Sequence, residues 1–571
     1  MKSTLPIIEC VPNFSEGNDV SIIRQITDCI ESVDGVRLLN VDPGKATNRT
    51  VVTFVGAPEA VLQAAFLAIK KAGELIDMQK HAGAHPRMGA TDVCPLIPIA
   101  GITLEETAEY ARKLAKRVGE ELELPVYCYE AAQPDKSRSN LSIIRAGEYE
   151  GFFKKITDPA WKPDFGPAVF DAKRGATVIG ARDFLIAYNV NLNTTSTRRA
   201  NAVAFDIREA GRNRIENGKT IHIPGTLKSV KAIGWFIEEY GIAQISMNLT
   251  DIHTTPIHIA FDEACKKAAE RGLRVTGSEL VGLVPLQSML EAGKYFLQKQ
   301  QRSTGVSEKE LISIAIKSMG LNELTSFNPN ERIIEYLLEV KDSKKLINKS
   351  LEEFADATAS ESPAPGGGSV SAYLGALGVS LAAMVANLSS HKKGWDERWK
   401  EFGDQAERAQ QLKAELLKLV DADTESFNAI MDAFALPKKT EEEKAQRQAA
   451  IQTATKLAIE VPLNVMKISL ESMQLIKLMV ETGIPNSVTD AGVGALCARS
   501  AVMGAFLNVK VNCMSYNDKS FVQQILSEGS GIEAQAIQEE SMIIALVRSE
   551  EHTSELQSHS DLVCRLLLEK K

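Results

Sequence analysis

Paired cysteines are absent from this sequence. It holds eight cysteines in 571 residues, with no CxxC pair and no regular spacing. A disulfide framework or a structural zinc site needs closer, paired cysteines, so neither is predicted. We expect reduced cysteines that are mostly buried, as free cysteine usually is.

Long apolar runs and an excess of basic residues are also absent. The chain begins MKSTLPIIECVPN, which lacks the apolar stretch of a signal peptide. No run of about 18 apolar residues occurs, so the sequence predicts a cytoplasmic protein without a membrane span. The formal net charge of −9 argues against nucleic acid as the main partner, because phosphate-binding surfaces need a basic excess. A local basic groove for a small anion is compatible with that total.

What is present fits a globular protein of several domains. The composition, 44% hydrophobic and 24% charged residues, is ordinary for such proteins. A length of 571 residues exceeds what one core supports, so three or four domains are expected.

Two stretches of the first half share one order of elements, β-α-β-β-α-β, which is the split βαβ or ferredoxin-like pattern. The first stretch has predicted strands at Leu5–Cys10, Val36–Val41, Thr50–Val55 and Asp92–Ile99, and helices at Val20–Val33 and Pro58–Ile76. The second has strands at Phe184–Leu192, Val230–Ile237, Ala243–Leu249 and Leu273–Leu283, and helices at Thr197–Ala210 and Pro256–Arg271. The predicted fold class is therefore α+β for this half, with subdomains at 1–181 and 182–330 and a favoured ligand site in the cleft between them.

Helical periodicity dominates the second half. After a charged linker at 331–349, long Ala/Leu/Met-rich stretches occupy residues 350–547. These are Val370–Ser389, Phe402–Phe434, Glu441–Ser472 and Ala491–Asn512. The pattern predicts an all-α bundle.

The last segment, 548–571, does not continue the bundle pattern. It reads RSEEHTSELQSHSDLVCRLLLEKK and looks like the translation of a short-read sequencing adaptor. We expect this tail to be non-native. Cys564 and two histidines lie in this tail, so they are not candidates for functional residues.

The densest polar segment is HAGAHPRMGATD at residues 81–92, a Gly-rich loop between a helix and a strand. His85 suits proton transfer, because the ordinary histidine pKa of about 6.5 lies near working pH. The alternative is a structural loop with surface histidines. His81 and His85 have a metal-ligand spacing, but Gly83 and Pro86 disfavour the helix that it requires, so no metal site is predicted.

A second polar loop, NVDPGKATNR at residues 40–49, follows a predicted strand. Asp42 ends that strand and is placed to orient a histidine from a neighbouring strand, as carboxylates do behind metal-bound histidines. A plain Asp-Pro-Gly turn is an equally good interpretation.

A third segment, WKPDFGPAVFDAKRGATVIGAR at residues 161–182, lies between the two repeats. Its aromatic residues suit stacking on a flat heterocycle, and arginines such as Arg174 and Arg182 suit a carboxylate tail. The alternative is an ordinary interdomain linker.

Two segments of the helical half invite similar interpretations. Gly366, Gly367 and Gly368 precede an apolar helix, where free backbone N–H groups can hold an anion, although tight helix packing explains them equally well. Asp423 lies in LVDADTESF among apolar neighbours, which suits a buried acid with a raised pKa. The alternative is a solvated acidic face.

Eight peptides taken together resemble the formimidoyltransferase-cyclodeaminase family. They cover about residues 5 to 547, and eight in order across both halves are highly specific. They are ECVPNFSEG, VDPGKATNRTVVTFVG, HAGAHPRMGATDVCPLIP, RAGEYEG, PDFGP, GARDFLIAYNVNL, GSELVGLVPL and APGGGSVSA.

The resemblance implies a bifunctional folate enzyme of histidine degradation, which acts as a homo-oligomer. Its first half transfers a formimino group from N-formimino-L-glutamate to tetrahydrofolate, a co-substrate with a polyglutamate tail. Its second half cyclises the product to methenyl-tetrahydrofolate and releases ammonia. His85 matches the catalytic histidine of the transferase and Asp423 the catalytic residue of the cyclodeaminase. The folate-binding stretch corresponds to Gly166, Pro167, Ala168, Val169, Phe170, Asp171, Ala172, Lys173, Arg174 and Gly175.

The expected chemistry agrees with the residue types. One histidine can take the proton of the attacking folate amine and return it to the departing glutamate nitrogen, with Asp42 in support. A protonated Asp423 can supply the proton with which ammonia leaves, and Gly366–Gly368 can hold folate carboxylates. Two alternatives stay open at this point. In the first, the donor is N-formylglutamate instead of N-formimino-L-glutamate. In the second, the helical half only binds folate or forms an oligomer.

Overall fold

The computed structural model describes residues 6–45, 47–83, 86–216, 219–338 and 345–568, with only the backbone for 550–568. The chain divides into two compact units. The α/β unit comprises Met1–Met289 and Ile316–Leu338, and the helical unit comprises Leu290–Ala315 and Glu339–Lys571.

A seven-stranded sheet, counted over the described residues, forms the first part of the α/β unit. Its strands are β1 (Ile7–Cys10), β2 (Asn13–Phe14), β3 (Val36–Gly44), β4 (Arg49–Gly56), β5 (Thr91–Ala100), β6 (Val126–Glu130) and β7 (Thr177–Ala181). In space the order is β3, β4, then β1 and β2 together, then β5, β7 and β6. The strands from β3 to β5 pair antiparallel, whereas β7 pairs parallel with both β5 and β6.

Helices α1 (Val20–Glu31), α2 (Pro58–Leu75) and α3 (Leu104–Glu121) cover one face of this sheet. The short helices α4 (Leu141–Ile144) and α5 (Glu148–Lys155) pack on the other face, against β5, β6 and β7. Successive strand residues point to opposite faces. Ile8 and Cys10 of β1, Phe54 of β4 and Leu96 of β5 are therefore buried in one core with α1, α2 and α3, while their sequence neighbours face the other side.

The second part of the α/β unit repeats the order of elements. Its four-stranded antiparallel sheet consists of β8 (Ile186–Leu192), β11 (Val230–Ile237), β12 (Ile242–Leu249) and β13 (Val275–Val281). The helices are α6 (Thr197–Ile207) and α7 (Ile257–Ala269), and a hairpin of β9 (Arg212–Glu216) and β10 (Lys219–Ile223) follows α6. In both sheets the four strands of the β-α-β-β-α-β order lie in space as second, third, first and fourth.

The helical unit is built on long helices. Helices α8 (Leu286–Lys299) and α9 (Glu308–Met319) contain the boundaries between the units, and α10 (Pro329–Arg332) and α11 (Ile334–Leu338) belong to the α/β unit. The bundle comprises α12 (Leu351–Ala359), α13 (Gly367–Ser390), α14 (Trp399–Ala435), α15 (Glu441–Thr482), α16 (Val488–Cys513) and α17 (Lys519–Leu568). Its core is rich in alanine, valine and methionine. A mixed α/β half followed by a largely helical half is thus confirmed.

Two bundle helices are long and apolar enough to cross a membrane, Gly367–Ser390 and Pro485–Cys513. In their most apolar windows, 61% and 50% of the residues are buried inside the protein. Buried helices of soluble proteins have the same composition, so this is weak evidence for a span. Small residues let the two approach closely, since a Cβ on Gly378 would lie 2.8 Å from the carbonyl oxygen of Gly494.

The sequence did not predict β7 or the β9–β10 hairpin. The β7 residues TVIGA are all buried, but they lie inside the Gly-, Pro- and Lys-rich segment 161–182. Their strand forms by pairing with β5 and β6, which local periodicity cannot reveal. The predicted non-native tail at 548–571 continues α17 as far as Leu568, and its side chains beyond Ser549 lie outside the described residues.

Two glycines with the same backbone conformation test how tightly the first sheet is packed. Gly175 and Gly272 both have φ +71°, but a Cβ on Gly175 would lie 2.2 Å from the carbonyl oxygen of Met88, whereas nothing lies within 4 Å of one on Gly272. We expect Gly272→Ala to cost about 1 kcal/mol, for the left-handed conformation alone. Gly175→Ala should lower the melting temperature by several degrees more, as measured by circular dichroism. Equal shifts would show that the backbone at Gly175 relaxes freely.

Candidate active sites and family

A cavity of about 450 Å³ opens on the face of the first sheet opposite α1, α2 and α3. Alternate strand residues form one wall, as the two-residue period of a strand requires. On this wall lie Glu9, Val11, Asn13, Asn40, Asp42, Val51, Thr53, Val93, Pro95 and Ile97. The opposite wall comes from the second sheet and the segments next to it, with Phe184, Leu185, Ala187, Asn248, Val281, Gly282 and Leu283. The cavity therefore lies between the two repeats, where the sequence predicted a ligand site.

Two arginines at this cavity share one buried carboxylate. Asp92 is fully buried, and its Oδ2 accepts hydrogen bonds at 2.7 Å from Nη1 of Arg49 and from Nη2 of Arg145. Its Oδ1 accepts from the backbone N–H of Met88 at 3.0 Å. Burial lowers the pKa of Arg49 to about 10, so this guanidinium is still charged at neutral pH. Two cations facing one anion leave a positive excess that attracts an anionic ligand.

Two predicted site residues, Asp42 and Arg182, also line this cavity. Asp42 lies exposed on β3, and Arg182 follows directly after β7. The structure therefore brings Asp42 and Arg182 together with Arg49 and Arg145. Three guanidiniums meet the carboxylates of Asp42 and Asp92 and the carboxyl group of Glu9, so positive charge is in excess at this cavity when Glu9 is protonated.

The predicted catalytic histidine, His85, lies outside the described residues, but its flanks are described. Nδ1 of His81 accepts a hydrogen bond at 3.2 Å from Nε of Arg87. Because arginine can only donate, the His81 proton is on Nε2, which donates to the carbonyl oxygen of Asn48 at 2.8 Å. Asn48 follows Thr47, a residue of the cavity wall. His81 is thus a structural histidine that ties the segment before residue 84 to the backbone at Asn48.

The predicted folate-binding stretch, 166–175, lies elsewhere on the α/β unit. Its basic residues Lys173 and Arg174 line a second cavity of about 440 Å³, together with Lys70 and Thr91. Nζ of Lys173 donates to the carbonyl oxygen of Glu74 at 2.8 Å. Arg174 is held by Oδ2 of Asp171 at 2.6 Å and by a backbone carbonyl.

The remaining residues of the stretch are packed or exposed. Pro167, Ala168 and Val169 are exposed. Phe170 packs against the ring of Tyr149 at 5.7 Å, whose hydroxyl donates to the carbonyl oxygen of Ala172 at 2.5 Å. The backbones of Gly166 and Gly175 pass close to neighbouring carbonyl groups, where a side chain would collide.

In the helical unit, Asp423 meets the first turn of α13. Gly366 is the N-cap of that helix and Gly367 its first residue. A Cβ on Gly368 would lie 2.0 Å from Oδ1 of Asp423. The oxygens of Ser369 Oγ and Asp423 Oδ2 are 3.2 Å apart. The structure therefore brings Gly368 and Asp423, 55 positions apart in the sequence, into direct contact.

The surroundings of Asp423 favour its protonated form. Burial raises its pKa, and hydrogen bonds from Ser369 oppose this only in part. Oγ of Ser369 also lies 2.8 Å from the carbonyl oxygen of Val420, which can only accept. A hydroxyl has one proton, so Ser369 donates either to this carbonyl or to Oδ2 of Asp423, and burial remains the largest cause of the raised pKa of Asp423.

The two neighbouring acids on α14 differ from Asp423. Asp421 is buried, and its Oδ1 accepts from the backbone N–H of Leu346 at 2.6 Å. It therefore fixes the segment before α12. Glu425 is exposed and fits the solvated acidic face.

Family models match most of the chain in three consecutive parts. A model of the formiminotransferase domain, N-terminal subdomain, matches residues 7–182, and one of the formiminotransferase domain matches 187–339. A formiminotransferase-cyclodeaminase model matches residues 350–530. A formimidoyltransferase-cyclodeaminase of Gallus gallus is 41% identical over 546 residues, which are 95% of this chain and 99% of that relative. The chain belongs to the formimidoyltransferase-cyclodeaminase family.

Other relatives match one half each. A glutamate formimidoyltransferase of Thermoplasma acidophilum is 44% identical over 296 residues, 52% of this chain and 93% of the relative. A methenyltetrahydrofolate cyclohydrolase of Methylorubrum extorquens is 39% identical over 189 residues, 33% of this chain and 91% of the relative. The predicted function is confirmed: this member of the formimidoyltransferase-cyclodeaminase family is a bifunctional folate enzyme of histidine degradation.

Three residues that line the large cavity were not predicted from the sequence. Arg49 was noted only as the end of a polar loop, Arg145 only within the family peptide RAGEYEG, and Glu9 only within ECVPNFSEG. Arg145 follows a short helix, and the sequence around it does not indicate that its guanidinium contacts the carboxylate of Asp92. Glu9 had one signal: it is the sole charged residue in the predicted strand Leu5–Cys10.

Removing the shared carboxylate tests its part in holding the arginines of the large cavity in place. Asp92→Asn keeps the shape but leaves Arg49 and Arg145 without a counter-charge, so we expect a loss of about 3–5 kcal/mol, typical of breaking a buried ion pair. Thermal denaturation measures it. Glu74→Gln, which breaks the exposed pair of Lys71 and Glu74, is the control and should cost below about 1 kcal/mol. Similar losses for both variants would contradict this assignment.

Proposed function

We propose that the cavity between the two repeats is the formimidoyltransferase site. The single observation that carries this is its charge: Arg49, Arg145 and Arg182 meet at a cavity whose size suits a small-molecule substrate, which needs about 300–1,000 Å³. N-Formimino-L-glutamate carries two carboxylates, which guanidiniums bind well. The cavity wall at Thr47 also adjoins Asn48, whose carbonyl oxygen accepts a hydrogen bond from His81, four residues before His85.

In this proposal His85 moves the proton. The folate amine N5 attacks the formimino carbon and loses a proton, and the glutamate nitrogen gains one as its bond to that carbon breaks. One imidazole accepts the first proton and delivers it to the second nitrogen. Asp42, on the same cavity wall, stabilises the imidazolium between these steps. Holding both substrates in one cavity lowers the entropic cost of their encounter.

The stretch Gly166–Gly175 is proposed to bind folate through its second cavity. Lys70, Lys173 and Arg174 supply positive charge there, which suits the carboxylates of a glutamate or polyglutamate tail. Arg182 ends the same segment at the large cavity, so one folate molecule is proposed to extend along it.

A donor comparison tests the transferase assignment. Wild-type protein should transfer from N-formimino-L-glutamate and not from N-formyl-L-glutamate, because only the former has a protonated amidine nitrogen. His85→Ala should lower kcat by about 10²–10⁴-fold, the usual worth of a positioned acid–base group. Formation of 5-formimidoyl-tetrahydrofolate, followed by mass spectrometry, measures both effects. Faster use of the formyl donor would overturn the donor assignment, and an active His85→Ala protein would overturn the role of His85.

For the helical unit we propose that Asp423, in its protonated form, donates the proton with which ammonia leaves. The folate amine N10 attacks the carbon of the protonated formimino group and loses its proton to solvent. The departing nitrogen takes the proton of Asp423, its bond to that carbon breaks, and ammonia leaves as the methenyl bridge forms. Support comes from the raised pKa of Asp423 and from its contact with Gly368 and Ser369. Gly366, Gly367 and Gly368 are proposed to approach the folate closely because they lack side chains.

A matched pair of variants tests this acid. Asp423→Asn should abolish ammonia release while folate binding persists, and Glu425→Gln, an exposed acid two positions away, should behave as wild type. Because the pKa of Asp423 is raised, wild-type cyclisation should remain active above the ordinary aspartate range and fall as pH rises through that raised pKa. A coupled ammonia assay from pH 4 to 9 measures it. Ammonia release by Asp423→Asn would overturn the proposal, and none from wild type would favour a helical half that only binds or oligomerises.

Three further proposals concern architecture and setting. Each repeat is proposed to be a ferredoxin-like subdomain, supported by the common strand order, with the domain boundaries predicted above. A homo-oligomer is proposed because α16 exposes an apolar stripe, with Leu507 66% and Val511 55% exposed. A cytoplasmic location is proposed from composition alone.

A further inference from the structure

Glu9 places a carboxyl on the cavity wall where the fold makes little use of it. It lies on β1 between Ile8 and Cys10, whose side chains are in the core with the helices, and so it faces the cavity. The residue is only 2% exposed, and within the described part of the chain its Oε2 has no hydrogen-bond partner. Buried polar oxygens in folded proteins are nearly always hydrogen-bonded. An unpaired one at a cavity wall therefore indicates a partner that enters with a ligand.

The groups around Glu9 come from three strands and the segment after β7. Burial raises the pKa of Glu9 to about 7, and the nearby Arg182 guanidinium opposes part of this shift. Tyr129 on β6 has its pKa raised by burial to about 12, and burial also raises that of the Cys10 thiol. Cys94 on β5 lies 3.5 Å from Cys10, sulfur to sulfur, and faces the core. Glu9 is thus the carboxyl of this group, and it changes charge near neutral pH.

The described ion pairs do not include Glu9. Arg182 donates through Nη1 to the carbonyl oxygen of Asp183 at 2.9 Å, so it is partly engaged elsewhere. A desolvated carboxylate without close donors is costly. A ligand that supplies two N–H groups would remove that cost, because a carboxylate presents two acceptor oxygens in one plane.

We propose that the carboxylate of Glu9 binds the N–C–N edge of a transferase substrate through two parallel N–H···O hydrogen bonds. Such an edge is common to the amidinium group of N-formimino-L-glutamate and to the 2-aminopyrimidinone ring of the folate. The inference rests on the proposed location of the transferase site in this cavity. It gives Glu9 a binding role that is separate from the proton transfer assigned to His85.

Binding should be linked to a proton. At pH 7 about half of the free protein carries a protonated Glu9, given a pKa of about 7. Two donors on the ligand favour the ionised form and lower this pKa. The ligand therefore binds more weakly as pH falls below 7, and its binding at pH 7 releases about half a proton.

Steady-state kinetics of the full-length protein identify which substrate makes the contact. Glu9→Gln should raise KM for one substrate by about tenfold or more, since glutamine offers one acceptor and one donor in place of two acceptors. A rise for N-formimino-L-glutamate alone assigns the amidinium, and a rise for tetrahydrofolate alone assigns the pterin ring. Unchanged KM values for both substrates would overturn the proposal.

Calorimetry measures the protons released on binding, a quantity that a purely structural role of Glu9 would not change. Each substrate is titrated alone at pH 7, in buffers of different ionisation enthalpy, into wild type and Glu9→Gln. The wild type should release about half a proton more than the variant with the substrate identified above. Equal proton release in both proteins would overturn the inference, even if KM had changed. Protons from His85 or other groups cancel in this difference.

One further variant separates this inference from the proposed location. Val281→Trp fills the cavity from the opposite wall, where Val281 lies 36% exposed. If it transfers the formimino group as wild type does, the cavity is not the transferase site and both proposals fail. If it is impaired while Glu9→Gln behaves as wild type, only the role of Glu9 fails. The melting temperature of Glu9→Gln should match or exceed that of wild type, and a marked fall would assign Glu9 to the fold instead.

Discussion

The transferase half depends on one buried carboxylate, that of Asp92. It ties together parts of the chain that no continuous element joins: Arg49 at the start of β4, Arg145 after α4, and the backbone of Met88 before β5. Because guanidiniums and carboxylates bind in fixed directions, a single side chain sets the positions of two cations and of the backbone at Met88. Arg49, which is in phase with Val51 and Thr53 along β4, lies on the cavity wall and not in the core formed with α1, α2 and α3.

The two halves hold their carboxyl groups in different surroundings. In the α/β unit, the carboxyl groups of Glu9, Asp42 and Asp92 lie among three arginines. In the helical unit, Asp423 contacts Gly368 and Ser369, and burial raises its pKa while hydrogen bonds from Ser369 oppose part of that shift. Burial favours an uncharged carboxyl group, whereas a cluster of arginines favours an anionic ligand. The two kinds of surroundings lie on separate structural units.

Much of this was predictable from the sequence, and the exceptions have a common cause. The period of apolar residues predicted β11 at Val230–Ile237 to the residue, because this strand buries alternate side chains along one face. It missed β7, whose five residues are strand only through their neighbours. At the sites, Asp42 and Arg182 were predicted and lie at one cavity. The pairing of Arg49 with Arg145 was not predicted, since the contact spans 96 positions and exists only through Asp92, and His85 lies outside the described residues.

The residue type at position 368 is restricted by the side chain that it contacts, that of Asp423. Its own backbone needs no glycine, yet any Cβ there would occupy the space of the Asp423 carboxylate. The two positions are therefore coupled: a side chain at 368 requires the carboxylate of Asp423 to move or to give way to a smaller group. Changes at these two positions should occur together among relatives, whereas solvent-facing positions of the same helix can vary one at a time.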